Sequence, residues 1–124
     1  MFVCGGAREN SYWHGTADAA DCMSTVEAYD PRAGKWSHTA PMLHAKFGCS
    51  ATNLGGLLYV FGGAQGVDFM QHMQRTVNGD ARVWPPVEEC LDVVEVYDPR
   101  ADRWRALRSM GSPRNFCGVG VVSI

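Results

Sequence analysis

The sequence lacks a long apolar run, a basic cluster and a paired-cysteine motif, and each lack excludes a class of function. The longest nearly apolar stretch runs from Leu54 to Ala64. A helix needs roughly 20 apolar residues to cross a bilayer. The opening Met-Phe-Val-Cys-Gly-Gly has neither the basic start nor the apolar body of a secretory signal. No membrane partner is therefore expected. Eleven Lys and Arg stand against thirteen Asp and Glu, giving a net charge of −2, and the basic residues form no run. Nucleic-acid binding needs a clustered basic footprint, so no nucleic-acid partner is expected. The five cysteines, Cys4, Cys22, Cys49, Cys90 and Cys117, include no CxxC pair. An odd count without a secretory signal predicts reduced thiols and a cytoplasmic location. His14, His38, His44 and His72 share no HxH or HExxH spacing. No metal site and no other cofactor is expected from them. No Ser-His-Asp set or carboxylate pair can be assembled from spacing.

What the chain does have is the composition of a folded domain. Of its 124 residues 46% are hydrophobic and 19% charged, which argues against disorder. Fourteen glycines and six prolines point to many turns. A repeat organises them. Asp21-Cys-Met-Ser-Thr-Val-Glu-Ala-Tyr-Asp-Pro-Arg32 returns as Glu89-Cys-Leu-Asp-Val-Val-Glu-Val-Tyr-Asp-Pro-Arg100, 68 residues later. Residues 21–56 and 89–124 share 11 identities in 36 ungapped positions, among them Trp36 with Trp104 and Met42 with Met110. A second match, Phe2-Val-Cys-Gly-Gly6 with Tyr59-Val-Phe-Gly-Gly63, has an offset of 57. The difference of 11 places an insertion between Gly63 and Val94. A rigid scaffold with one extendable loop has this signature.

The elements follow from local chemistry. Leu57–Phe61 is an apolar run ending in Gly-Gly, which predicts a buried strand. Val26–Tyr29 and Val94–Tyr97 predict strands as well. The Asp-Pro-Arg-Ala-Gly and Asp-Pro-Arg-Ala-Asp segments after them carry turn chemistry. Gly34 and Asp102 fall where a left-handed residue is needed. Trp36 and Trp104 open the returning strands. Phe116–Ile124 predicts another strand, matched by 48–54. Four hairpin-linked strands per unit predict an all-β fold, a partial propeller of antiparallel four-stranded blades.

Gly-Gly, then Tyr, then Trp seven residues on, then Met and a basic residue before a Gly-rich strand resembles the kelch repeat. Gly5, Gly6, Tyr29, Trp36, Met42 and Lys46 satisfy the pattern once. Gly62, Gly63, Tyr97, Trp104, Met110 and Arg114 satisfy it again. The Val-Glu-x-Tyr-Asp-Pro style is most similar to the kelch-like adaptors that carry BTB and BACK regions. The resemblance implies a partial blade over 1–46 and a complete blade over 47–106 with a long loop at 64–93. Residues 107–124 would then be a linker and the first strand of a further blade. Such content is expected of a piece of a longer propeller.

Residues that recur in both units are expected to serve the scaffold: Gly5, Gly6, Tyr29, Trp36, Gly62, Gly63, Tyr97 and Trp104. The glycine pairs are expected to make room for bulky neighbours such as Tyr97 or Trp104. Cys49 and Cys117, at equivalent positions, are expected to be small buried hydrophobes. Function is expected where the units differ, in the loops 7–25 and 64–93. The first holds Tyr12 and Trp13. The second holds Phe69, Met70 and Met73, which a helix capped by Asp68 would display on one side, and Trp84 before two prolines. Exposed aromatic and Met residues suit partner binding, while a loop folded back over its blade is the plain alternative. In kelch-like proteins these loops and the segments joining successive blades open on one face. The resemblance therefore implies a partner site that adds Lys46, Phe47, Arg114, Asn115 and Phe116. It implies a protein partner: a substrate of a cullin-RING ubiquitin ligase, with the cullin reached through other regions. An actin-binding cytoskeletal kelch protein is the alternative, and a copper-radical oxidase a third.

Overall fold

A computed structural model describes residues 1–7, 22–65 and 90–123. Seven strands lie among the described residues: β1 (Phe2–Cys4), β2 (Val26–Asp30), β3 (Lys35–His38), β4 (Ser50–Leu54), β5 (Leu57–Phe61), β6 (Val94–Asp98) and β7 (Arg103–Ala106). They form two antiparallel meanders, β1-β2-β3 and β4-β5-β6-β7. No helix occurs among the described residues.

The tight turns form as their side chains dictate. Asp30 Oδ1 accepts the amide of Arg32 at 2.8 Å, and Asp98 Oδ1 accepts that of Arg100 at 2.9 Å. Both turns then need one left-handed residue, supplied by Gly34 at φ 63° and Asp102 at φ 46°. The returning strands put Trp36 opposite Tyr29 and Trp104 opposite Tyr97, with ring centroids 5.1 Å apart in both pairs.

The core lies between the two sheets. Val26 and Met42 of the first unit meet Leu58, Val60, Tyr97 and Trp104 of the second, with Phe2, Cys4, Ala40 and Cys49 packed around them. Phe2 meets Tyr97 edge-on at 5.7 Å. The Trp104 indole N–H donates to the Ala40 carbonyl at 2.8 Å. Asp102 accepts both the Ala40 amide at 2.8 Å and the Tyr97 hydroxyl at 2.7 Å. These two bonds hold the Asp102 carboxyl below the usual range. Burial pushes the Tyr97 phenol up, and its bond to Asp102 adds to that.

Three expectations need correction. The Gly-Gly pairs do not make room for Tyr97 or Trp104. A Cβ on Gly5 would strike the Lys46 carbonyl oxygen, and one on Gly62 the Arg114 carbonyl oxygen. The glycines let the next segment's backbone approach closely, and both sit at positive φ. Second, Trp36, expected to serve the scaffold as Trp104 does, packs on Tyr29 but is 48% exposed while Trp104 is 6% exposed, because among the described residues only the second unit has a sheet packed on that face. Third, residues 117–123 form no strand. A strand needs ladder hydrogen bonds to a neighbour, and what ties this segment to β4 is a side-chain bond, Ser50 Oγ donating to the Cys117 carbonyl.

Candidate functional site

Strand register sorts the molecule into two ends. The turns at 30–35, 54–57 and 98–103 share one end. At the other, Cys4 pairs with Val26 and Phe61 with Val94, so the chain leaves toward the two long loops there. The segments that follow β3 and β7 leave from this end too.

Backbone hydrogen bonds knit those segments to the loop stems, twice over. In the first unit Gly6 N donates to Lys46 O at 2.9 Å, Lys46 N to Met23 O at 3.1 Å, and Met23 N to Gly6 O at 2.8 Å. In the second, Gly63 N donates to Arg114 O at 2.8 Å, Arg114 N to Leu91 O at 2.9 Å, and Leu91 N to Gly63 O at 2.8 Å. Bridges Ala7–Cys22, Phe47–Ala64 and Ala64–Cys90 close the stems, over a small cluster of Phe47 and Ala64 with Ala7 and Cys22. The expectation of one shared end for loops and connecting segments thus has a physical basis in this triangle of amides.

The candidate side chains divide sharply. Lys46 is fully buried. Its ammonium donates to Glu95 Oε2, itself fully buried, and Glu95 Oε1 accepts the amide and Nδ1 of His44, each at 3.1 Å. Lys46 is therefore removed from the partner-contact set: its charge is spent inside the joint between the sheets. Phe47 is removed too, being buried against Ala64. Arg114 is exposed and Asn115 half-buried, with the Cys90 thiol 3.5 Å from Asn115 Oδ1. Phe116 is 68% exposed and sits at φ 46°, where a bulky side chain strains the backbone. Its ring lies 6.1 Å from that of Phe47 and covers Gly48, and its amide donates to Gly48 O at 2.7 Å. Tyr12, Trp13, Phe69, Met70, Met73 and Trp84, and the helix expected after Asp68, lie outside the described residues.

Glu95 and His44 were missed by sequence reasoning. The signal was there: a glutamate and a basic residue each recur at the same offset of 68, as Glu27 with Glu95 and Lys46 with Arg114. Recurring opposite charges in a repeat are a hint of pairing across its joints.

Cys4, Cys49 and Cys117 are free thiols. Burial, with Cys49 nearby, pushes Cys4 up to about 11, and burial pushes Cys49 up as well. Such thiols are poor nucleophiles at neutral pH. No group of three or more His, Cys, Asp or Glu among the described residues could hold a metal. No helix there is long and apolar enough to cross a membrane.

The family model of the kelch motif matches residues 1–43 and 79–111. Kelch repeat and BTB domain-containing protein 12 of Danio rerio is 38% identical over 108 residues, covering 85% of this chain and 15% of that protein. Its Homo sapiens counterpart is 37% identical over 87 residues, covering 68% and 12%. Kelch-like ECH-associated protein 1A of Danio rerio is 32% identical over 122 residues, covering 98% and 16%. The chain thus spans about a sixth or less of these relatives' length. Two sheets locked at one repeat offset, glycine pairs that admit a neighbouring backbone, and a matching family model agree: the chain belongs to the kelch-repeat family.

Proposed function

We propose that the chain is a protein-binding unit, not an enzyme, whose recognition surface is the end carrying the two long loops and Phe116. The observation behind this reading is Phe116. A bulky apolar residue, mostly exposed and held left-handed where its counterpart Gly48 is unstrained, costs stability. Strain of that kind persists where a site uses it. Asn115 stands beside it, and the stems at Cys4–Val26 and Phe61–Val94 open toward the same end; the sequence between those stems holds Tyr12, Trp13, Phe69, Met70, Met73 and Trp84. Aromatic and Met side chains of this kind make the anchors of protein interfaces.

The finer reading is a substrate-recognition element of a ubiquitin ligase adaptor, acting in the cytoplasm. Similarity to the kelch repeat and BTB domain-containing proteins supports it. The test is affinity capture and mass spectrometry with the complete reading frame, beside a form lacking Gly66 to Pro86. A cullin captured by both forms, with one further protein lost on deletion, is the expected result. Capture of actin in place of a cullin would overturn the adaptor reading. A capture profile unchanged by the deletion would overturn the loop's role.

A further inference from the structure

Residues 39–47 join the two units at the end toward which the stems at Cys4–Val26 and Phe61–Val94 open. The strands on either side of this segment, β3 and β4, both lie within the chain. Its backbone is pinned at three places. Met42 N donates to Ser24 O at 2.9 Å, His44 N to Glu95 Oε1 at 3.1 Å and Lys46 N to Met23 O at 3.1 Å. Met42, Lys46 and Phe47 are buried. Pro41 and Leu43 are what the segment exposes, and Leu43 is 54% exposed. An exposed leucine is ordinary on a protein surface. This one is held between two hydrogen-bonded neighbours, Met42 and His44, with a proline just before them. A contact made through it costs little backbone ordering.

The scaffold does not require this leucine. At the offset of 68, Pro41 and Leu43 correspond to Ser109 and Gly111. The second segment keeps the same backbone bond, Met110 N donating to Asp92 O at 2.8 Å, and Ser109 and Gly111 are exposed as their counterparts are. Leu43 is thus an addition of the first unit at a place where the fold accepts glycine. Positions where repeated units differ carry function when the shared ones carry the fold.

The surroundings of Leu43 define the chemistry it can meet. Lys46 and His44 are the ionisable side chains of residues 39–47. Both turn to buried Glu95, the Lys46 ammonium donating to Oε2 and His44 Nδ1 lying 3.1 Å from Oε1. An acidic group arriving at this segment finds no free cation, and an apolar group finds Pro41 and Leu43. We propose that Leu43, given the protein-binding role proposed for this end, is one of its anchors and receives an apolar, uncharged segment of the partner protein.

Panning a random peptide display library against the complete reading frame tests this. Enriched peptides should be rich in Leu, Ile, Phe and Met and carry no excess of Asp or Glu. A synthetic peptide from that set should bind Leu43→Met as it binds wild type. Leu43→Ser and Leu43→Asp should each weaken it at least about tenfold, the loss of an interface anchor. All three variants should melt with wild type, since surface substitutions change stability little. A lower melting temperature in Leu43→Ser would mark the leucine as scaffold and overturn the proposal. An acidic consensus would overturn it too and assign recognition to the exposed Arg114. Peptides indifferent to Leu43→Asp but lost with Phe116→Gly would overturn the role of Leu43 and leave the protein-binding end standing. Peptides indifferent to both variants, or no enrichment at all, would overturn the protein-binding end and Leu43 together.

Discussion

Replacing Lys46 by methionine removes the cation from a fully buried pair while leaving its volume filled. Glu95 then keeps only the amide and ring nitrogen of His44, each at 3.1 Å. Breaking a buried pair from one side costs about 3–5 kcal/mol. That is a large share of the roughly 5–15 kcal/mol that holds a domain together. For a chain of this size each kcal/mol moves Tm by about 4 °C, so Lys46→Met should melt about 12–20 °C lower. Urea unfolding followed by tryptophan fluorescence and far-ultraviolet circular dichroism reads the same loss, with buried Trp104 as reporter. Adding Glu95→Leu to Lys46→Met should recover most of it, because an apolar pair desolvates without penalty. A loss below about 1 kcal/mol for the single variant, the scale of an exposed pair, would refute the buried-joint reasoning.

Other outcomes follow from the same geometry. Trp104→Ala should cost about 3–5 kcal/mol, and Trp36→Ala under about 1 kcal/mol, because among the described residues only Trp104 has a sheet packed over it; chemical denaturation compares them. Asp102→Gly keeps the left-handed turn but drops two hydrogen bonds. Because the Asp102 carboxyl titrates low in the folded chain, the stability it adds is present above its unfolded value of 3.8 and is lost as pH falls below it. The gap between wild type and this variant should be constant near neutrality and close in acid. Cys4, raised from 9.0 to about 11, should resist iodoacetamide at pH 8 in the folded chain and react once unfolded. As pH rises from about 9 toward 11 the unfolded thiol ionises first, so folded stability should decline across that window.

The fold was legible because the repeat carries its own punctuation. Asp30 and Asp98 cap their turns, and Gly34 and Asp102 take the left-handed position, as local chemistry demands. Periodicity likewise placed β5 and β6 within a residue of their bounds. What stayed hidden depends on neighbours. Lys46 looks like a surface charge in sequence, and only a second sheet makes it a buried one. Trp36 and Trp104 hold equivalent places in the repeat and differ in exposure because, among the described residues, a sheet packs over Trp104 alone. Residues 117–123 have the composition of a strand, yet hydrogen bonding to a partner decides strand formation. The strain at Phe116 was invisible too, since the repeat aligns it with Gly48 and only the backbone shows that it keeps the glycine conformation.

The most direct test of the binding surface is titration of the partner captured by the complete reading frame against wild type and Phe116→Gly, by calorimetry. The substitution relieves a left-handed phenylalanine at a cost or gain of only about 1–2 kcal/mol in stability. The account predicts affinity at least about tenfold weaker with the fold intact, as loss of an interface anchor requires. Unchanged affinity in a folded variant would contradict it.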